Sequence, residues 1–331
     1  MMLVGGFFLD NFTLRGLDIW WDDVILITYL LIAGISIVCI NLYDGGKMKT
    51  SFLKEARPGF LFLMQFVLGG CFSASFVFYS RSASFSASWP FLLVILGYLL
   101  GNEFFKKHYI RFSAQVGAYF MAIFSLSILV MPIILKRIGD LVFVLSGLVS
   151  LCLISLFVYI LNFVTRAEVK KSKRLLLSII GGMFLIINIL YFTNMIPPAP
   201  LSLKEIGLYT SVKKNPNGTY ELLGGQQKSF YSFFNSTEVF HLKNGESAYL
   251  FSSIFSPAKL NTQVVHVWYN YDEKTKHWND VGRVDLSIYG GRKDGYRTYS
   301  IRDALSPGLW RVDIETESGQ LIGRKTFKIV N

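Results

Sequence analysis

Charge is scarce in this chain. Of 331 residues only 17% are Asp, Glu, Lys or Arg against 52% hydrophobic, too apolar a balance for an ordinary soluble protein and the one expected of a membrane chain. Cysteine is scarcer. Cys39, Cys71 and Cys152 all fall inside apolar runs and none follows, so no disulfide or thiolate metal framework is available to the last third. The common catalytic signatures are missing too: there is no G-x-S-x-G, H-E-x-x-H, Walker loop or G-x-G-x-x-G. His241, His266 and His277 match no metal-site spacing, and Ser300 with His266 lacks a third partner to orient it. No metal, cofactor or catalytic set is therefore expected. Met1 to Leu9 is apolar but short, lacks a basic start and runs into Asp10 and Asn11 without a cleavage site, so the first membrane span is expected to act as the targeting signal.

What is present is an uneven distribution of greasy sequence. The apolar excess lies before about residue 196, and the remainder has soluble composition. A helix needs about 20 mainly apolar residues to cross a bilayer, and six windows qualify, near 24–43, 60–80, 90–105, 113–135, 140–164 and 175–196. The third is the weakest, opening at Pro90 and ending near Asn102 and Glu103. The net charge of +11 is spread over loops instead of one basic face, which argues against nucleic acid as partner.

Alternate loops differ sharply in charge. Lys47, Lys49, Lys54, Arg57, Lys106, Lys107, Arg111, Arg166, Lys170, Lys171, Lys173 and Arg174 share one side, and only Arg15, Arg81, Lys136 and Arg137 the other. The positive-inside rule places the first set in the cytoplasm and both termini outside. Trp20, Trp21 and the acids Asp10, Asp18, Asp22 and Asp23 suit an outer interface.

Polar residues near the membrane faces are the candidates for function there. Arg81 opens a Ser-rich outer loop with Ser84 and Trp89, suited to hydrogen-bonding an anionic or sugar headgroup. Asn102 and Glu103 lie at the opposite, cytoplasmic end of the next helix, with Lys106 and Lys107 positioned to pair with Glu103. Asp140 begins the fifth span on the outer side, the same side as Arg81. Gln65 and Asn188 are the deeper polar groups, and Gly69/Ser73, Gly70/Ala74 and Gly97/Gly101 have the small-residue spacing that lets helices approach.

After Pro197, Pro198 and Pro200, which predict a stiff linker over 197–206, the pattern changes to alternation with turn punctuation. Strands are predicted near 207–213, 218–223, 237–242, 247–255, 263–270, 282–288, 296–302, 308–315 and 321–330, an antiparallel, immunoglobulin-like β-sandwich over 207–331. The expected fold is thus an α-helical polytopic membrane domain of six spans over 1–196, followed by an all-β domain outside the cytoplasm. Alternation puts Trp310, Val312 and Ile314 on one face and Arg311, Asp313 and Glu315 on the other. It also pairs His266 with Trp268, and together with Trp278, Arg292, Arg297 and Tyr299 these suggest an aromatic and cationic recess for a sugar or anion. The alternative for His266 is a core residue with satisfied hydrogen bonds.

The stretches Ile196-Pro197-Pro198-Ala199-Pro200-Leu201-Ser202-Leu203-Lys204, Val265-His266-Val267-Trp268, Gly290-Gly291-Arg292, Tyr296-Arg297-Thr298-Tyr299-Ser300 and Pro307-Gly308-Leu309-Trp310-Arg311-Val312 carry a resemblance, extended by Arg81-Ser82-Ala83-Ser84, Ser88-Trp89-Pro90-Phe91 and Gly101-Asn102-Glu103-Phe104. In them the chain resembles a bacterial membrane-protein family that joins a multi-span N-terminal region to an extracytoplasmic β domain of unknown function. The resemblance implies an inner-membrane protein and no catalytic residue. Three readings follow: a membrane-anchored module that binds an envelope glycan, lipid headgroup or protein; a small transporter or lipid-handling protein using Gln65, Asn188 and Arg81; and a membrane enzyme with an acid/base pair drawn from Asp22, Asp23, Arg81 and Asp140.

Overall fold

The computed structural model describes residues 20–45, 51–82, 85–104, 111–216, 219–225, 238–243, 245–257, 260–292 and 294–330, with backbone alone for 20–23, 51–54, 81, 85–87 and 102–104. Two compact units divide between Pro200 and Leu201.

The first unit holds six helices: α1 Trp20–Asp44, α2 Ser51–Ser82, α3 Phe85–Phe104, α4 Phe112–Leu135, α5 Asp140–Val164 and α6 Arg166–Phe192. Five are long and apolar enough to cross a membrane, while the apolar part of α3 is only Ser88–Gly101. The last helix starts at Arg166, well before the predicted 175, because Arg, Lys, Glu and Ala are good helix formers that end an apolar stretch without ending a helix. Among these five helices α4 is the most enclosed, with 67% of its apolar stretch buried, and α6 the least, with 17%.

Small residues and aromatics set the packing around α4. A Cβ on Gly34 of α1 would lie 2.8 Å from the Tyr119 hydroxyl, and Tyr119 itself packs on Phe157 of α5 at 4.5 Å between ring centroids. Of the predicted approach points, a Cβ on Gly70 would lie 2.6 Å from the Tyr29 ring of α1, whereas one on Gly97 would meet nothing within 4 Å. Close approach follows which helices become neighbours, and spacing along one helix does not encode that.

The second unit is all β: β1 Ser202–Tyr209, β2 Ser211–Lys214, β3 Tyr220–Leu223, β4 Glu238–His241, β5 Ala248–Phe255, β6 Asn261–Asp272, β7 His277–Tyr289, β8 Tyr296–Arg302, β9 Gly308–Thr316 and β10 Leu321–Val330. The first predicted strand is two strands, β1 and β2, and β1 begins inside the segment read as linker. Ahead of it the Ala199 amide donates to the Pro197 carbonyl at 2.7 Å, a three-residue turn where an extended run is predicted.

The strands form a three-stranded sheet in the order β1-β5-β8, a five-stranded sheet in the order β4-β10-β9-β6-β7 and a β2-β3 hairpin. Only the β4 pairing with β10 is parallel among the described ladders. Alternation sends Val264, Trp268, Val312, Ile314 and Phe327 of the larger sheet, and Leu250 and Ile254 of the smaller, into one buried interior. A register shift opposite Trp268 and Tyr269 leaves Val281 as an extra residue on β7 and re-aims the His277–Asp280 end of that strand.

Candidate functional site

His266 and Trp268 share a face as the alternation predicts, but that face is the interior between the two large sheets. Both are 0% exposed. His266 Nε2 lies 3.0 Å from Ser252 Oγ on β5, and its Nδ1 lies 2.9 Å from Ser300 Oγ on β8. The Trp268 indole N–H donates to Ser300 Oγ at 3.1 Å. Ser300 therefore accepts from Trp268, and the hydroxyls of Ser300 and Ser252 engage the two ring nitrogens of His266. Burial drops the imidazole pKa from 6.5 to about 3, so the ring is neutral across the physiological range. These four side chains are a satisfied polar network closed to ligand, and Ser300, 2% exposed, is not open to a substrate either.

The other predicted recess residues lie in separate places. Tyr299 and Arg297 belong to the opposite face of β8, where Tyr299 meets Tyr220 and Tyr249 at 6.3 and 6.1 Å and the Arg297 carbonyl accepts from the Tyr220 hydroxyl at 3.2 Å. Arg292 lies over the Tyr296 ring at 5.2 Å, beside the half-exposed Tyr289. Trp278 lies on the outer face of the five-stranded sheet. The structure thus brings no single recess together from the six.

Around Trp278 it assembles something else. Tyr269 pairs directly with Arg311 across β6 and β9, and Tyr271 with Trp278 across β6 and β7. The Arg311 guanidinium carbon is 4.4 Å from the Tyr269 ring centre and 4.7 Å from that of Trp278, so the cation is held between two aromatic faces. Tyr271 extends the aromatic surface, 5.1 Å from Trp278. Arg311 Nε is buried and makes no hydrogen bond, with Asp313 Oδ1 the nearest charge at 3.4 Å.

Asp313 is already engaged. It is 2% exposed and takes both arms of a fork from Arg324, Nε to Oδ1 at 2.6 Å and a terminal nitrogen to Oδ2 at 2.7 Å. That bond raises the Arg324 pKa, while burial, followed by the nearby Asp313 charge, raises that of Glu315. Burial, with Glu315 and Asp313 behind it, raises the Tyr269 phenol. The result is a layered face: an ion pair at the base, a guanidinium fixed above it, and aromatic rings around the guanidinium. Sequence alternation puts Arg311 and Asp313 on the outward face of β9, but bringing Tyr269 and Trp278 to Arg311 depends on strand order and on the shift after Trp268.

In the helical unit the Asp140 carboxylate accepts from the Tyr191 hydroxyl at 3.0 Å, which ties the start of α5 to the end of α6. Trp89 is 54% exposed on α3. Ser84 and the side chains of Arg81, Asn102, Glu103, Asp22 and Asp23 lie outside the described residues. Asn188 donates to the Phe184 carbonyl of its own helix at 2.7 Å. A buried amide pair is absent from the sequence-based candidates: Asn41 Nδ2 of α1 donates to Gln115 Oε1 of α4 at 2.8 Å. Among the described residues no three His, Cys, Asp or Glu side chains converge as a metal site would require.

Residues 261–329, from β6 into β10, match DUF2914, described as a protein of unknown function. That stretch contains Tyr269, Trp278, Arg311, Asp313 and Arg324. No curated protein matches the chain. Among solved structures, an immunoglobulin-like protein from Pseudomonas aeruginosa is 10% identical, with 40% of this chain and 98% of that one covered and a TM-score of 0.24. A β-glucosidase from Listeria innocua is 12% identical over 38% of this chain and only 16% of that enzyme, with a TM-score of 0.21. An alkylpurine DNA glycosylase from Pseudomonas fluorescens is 12% identical over 93% of this chain and 98% of that one, with a TM-score of 0.24. Likeness at this level carries no argument about what this chain does.

Proposed function

We propose that the chain is a polytopic protein of the bacterial cytoplasmic membrane. Its six helices all lie in the bilayer, the short α3 included, and its immunoglobulin-like β-sandwich lies outside the cytoplasm and binds an envelope glycan. Support for the membrane reading comes from the five long apolar helices, which leave Leu31, Phe66, Leu148, Leu177 and Phe192 exposed as lipid-facing side chains would be. Orientation rests on the loop charges.

The observation that carries the binding reading is the Arg311 cation between Tyr269 and Trp278. Sugars present C–H faces that stack on aromatic rings and hydroxyls that accept from guanidinium N–H groups, and this surface offers both. Its cation is fixed in advance, so little side-chain entropy is lost on binding.

The test is a titration of the full-length chain, in detergent, with envelope glycan fragments, followed by intrinsic fluorescence and calorimetry. Saturable binding that Trp278→Ala weakens by about tenfold or more, with the melting temperature unchanged, supports the proposal. Binding unchanged in Trp278→Ala and Tyr269→Ala, or none to any fragment, overturns it and leaves a lipid headgroup or a protein as ligand of this unit. Lipid handling by the helical unit is the second reading, favoured by a groove between α5 and α6.

A further inference from the structure

The groove between α5 and α6 has a volume of about 650 Å³. One end is polar, with Lys170, Lys173 and Asn162; the rest is mainly apolar and runs down to Leu151 and Gly181. From Lys170 to Gly181 along α6, and from Asn162 to Leu151 along α5, the helical rise gives a depth of about 16 Å. That is roughly half the hydrocarbon thickness of about 30 Å. The groove therefore serves one leaflet, with its charged mouth at that leaflet's headgroup level.

The mouth carries a surplus of positive charge. Arg166, Lys170, Lys171, Lys173 and Arg174 are accompanied by a single carboxylate, Glu168, within the segment. Lys170 and Lys173 are both exposed, and neither has an ion-pair partner among the described residues. Below them the wall is unfinished: Leu177 is 64% exposed and Tyr159 59%. A Cβ added at Gly181 would meet nothing within 4 Å, so the floor is open.

We infer that this groove is a binding site for an anionic phospholipid of the basic-side leaflet. The phosphate is held by Lys170 and Lys173, with Asn162 as a hydrogen-bond donor, and an acyl chain lies along the α5–α6 seam. Both requirements of an amphiphile are met at the correct separation: cations that have no internal partner at the headgroup level, and an apolar channel one leaflet deep beneath them. A zwitterionic lipid gains less, because its own ammonium competes for the phosphate. The inference rests on the reading that the helices span a bilayer.

The test is native mass spectrometry of the full-length chain in mild detergent, titrated with phosphatidylglycerol and with phosphatidylcholine of the same acyl chains. Phosphatidylglycerol is expected to bind preferentially, and K170Q/K173Q to weaken it about thirtyfold. The control K136Q/R137Q removes the same charge from the other membrane side and leaves binding unchanged. Gly181→Leu fills the floor without touching charge and weakens both lipids.

Equal affinity for the two lipids, or equal loss in both double variants, overturns the site. So does a dimer whose formation is abolished by Gly181→Leu, since a second copy then occupies the groove. A chain that alkaline carbonate strips from the membrane refutes the membrane reading itself, which separates the two failures.

Discussion

The buried hydroxyls of α5 and those of the β unit are satisfied in opposite ways. In α5 they turn back on their own helix: Ser146 donates to the Val142 carbonyl and Ser150 to that of Gly147, at 2.7 Å each. Elsewhere in the helical unit the Tyr79 hydroxyl of α2 donates to the Ser125 carbonyl of α4 at 2.8 Å, and the buried Ser36 and Ser73 hydroxyls make no hydrogen bond among the described residues. In the β unit the buried polar groups bond across strands and sheets, as His266 does with Ser252 and Ser300, and Asp313 with Arg324. A hydroxyl satisfied by its own helix contributes little to which helix packs on which. A β unit has no such local acceptor, since successive residues point to opposite faces. Polarity there specifies tertiary structure, and polar substitutions should cost far more.

The largest effect expected is at Asp313. Replacing it with Ala leaves Arg324 and Arg311 without their counterion at a site where the carboxylate is 2% exposed. Breaking a buried pair from one side costs about 3–5 kcal/mol; with Arg324 partly exposed, about 3 is expected. Hydrogen exchange of the β9 and β10 peptides in the full-length chain measures it. Unchanged protection would mean that the fork is ornamental and would erase that contrast.

The next effect is a pH dependence confined to one unit. His266 has a pKa of 6.5 unfolded and about 3 folded, so below pH 6.5 the unfolded state takes up a proton that the folded state refuses. Stability is full above pH 6.5 and is lost as pH falls from there toward 3, by up to about 1.4 kcal/mol per unit. Glu315, its pKa raised by burial, takes up its proton earlier in the folded state and opposes this slope, so the part that belongs to His266 is the difference between the protein and His266→Gln. Measured by exchange of β6, the slope should flatten in His266→Gln, while α4 shows no slope in either protein.

Other polar groups of the helical unit do bond between helices, among them the Tyr79 hydroxyl with the Ser125 carbonyl at 2.8 Å and the Asn41 and Gln115 amides at 2.8 Å. If the helices lie in a bilayer as proposed, a double-mutant cycle of Asn41→Leu and Gln115→Leu should give a coupling of about 0.6 kcal/mol. Coupling several times larger would show that polar contacts specify the helical packing after all.

How much of this was legible beforehand follows the same division. Apolar runs locate six helices, since run length is a property of one segment, but not the start of α6 at Arg166, because charge ends a run without ending a helix. Alternation locates the strands to within a few residues except for β1 and β2, where 197–206 reads as linker and 207–213 as one strand, and at the β7 start, His277, which a turn rich in charge conceals. It also put His266 beside Trp268. It did not say that Ser252 and Ser300 close over them, because that is a relation between sheets. The Arg311 clamp was illegible for the same reason, requiring β6 to lie between β7 and β9 and a register shift to carry Trp278 within 4.7 Å of Arg311.

The smallest effect is the sharpest test of the contrast. Ser146 is fully buried in α5, which in the β unit would make its hydroxyl costly to lose. Its acceptor, however, is the Val142 carbonyl four residues back, which keeps its own backbone hydrogen bond when the hydroxyl goes. Ser146→Ala therefore strands no partner, and Ala is the better helix former. The change should fall within about 0.5 kcal/mol, with either sign. The matching substitution Ser300→Ala removes the acceptor of the Trp268 indole and the partner of His266 Nδ1 together, and about 2 kcal/mol is expected. Thermal unfolding of the two variants in one detergent compares them directly, and equal costs would refute the rule that local satisfaction makes a buried hydroxyl dispensable.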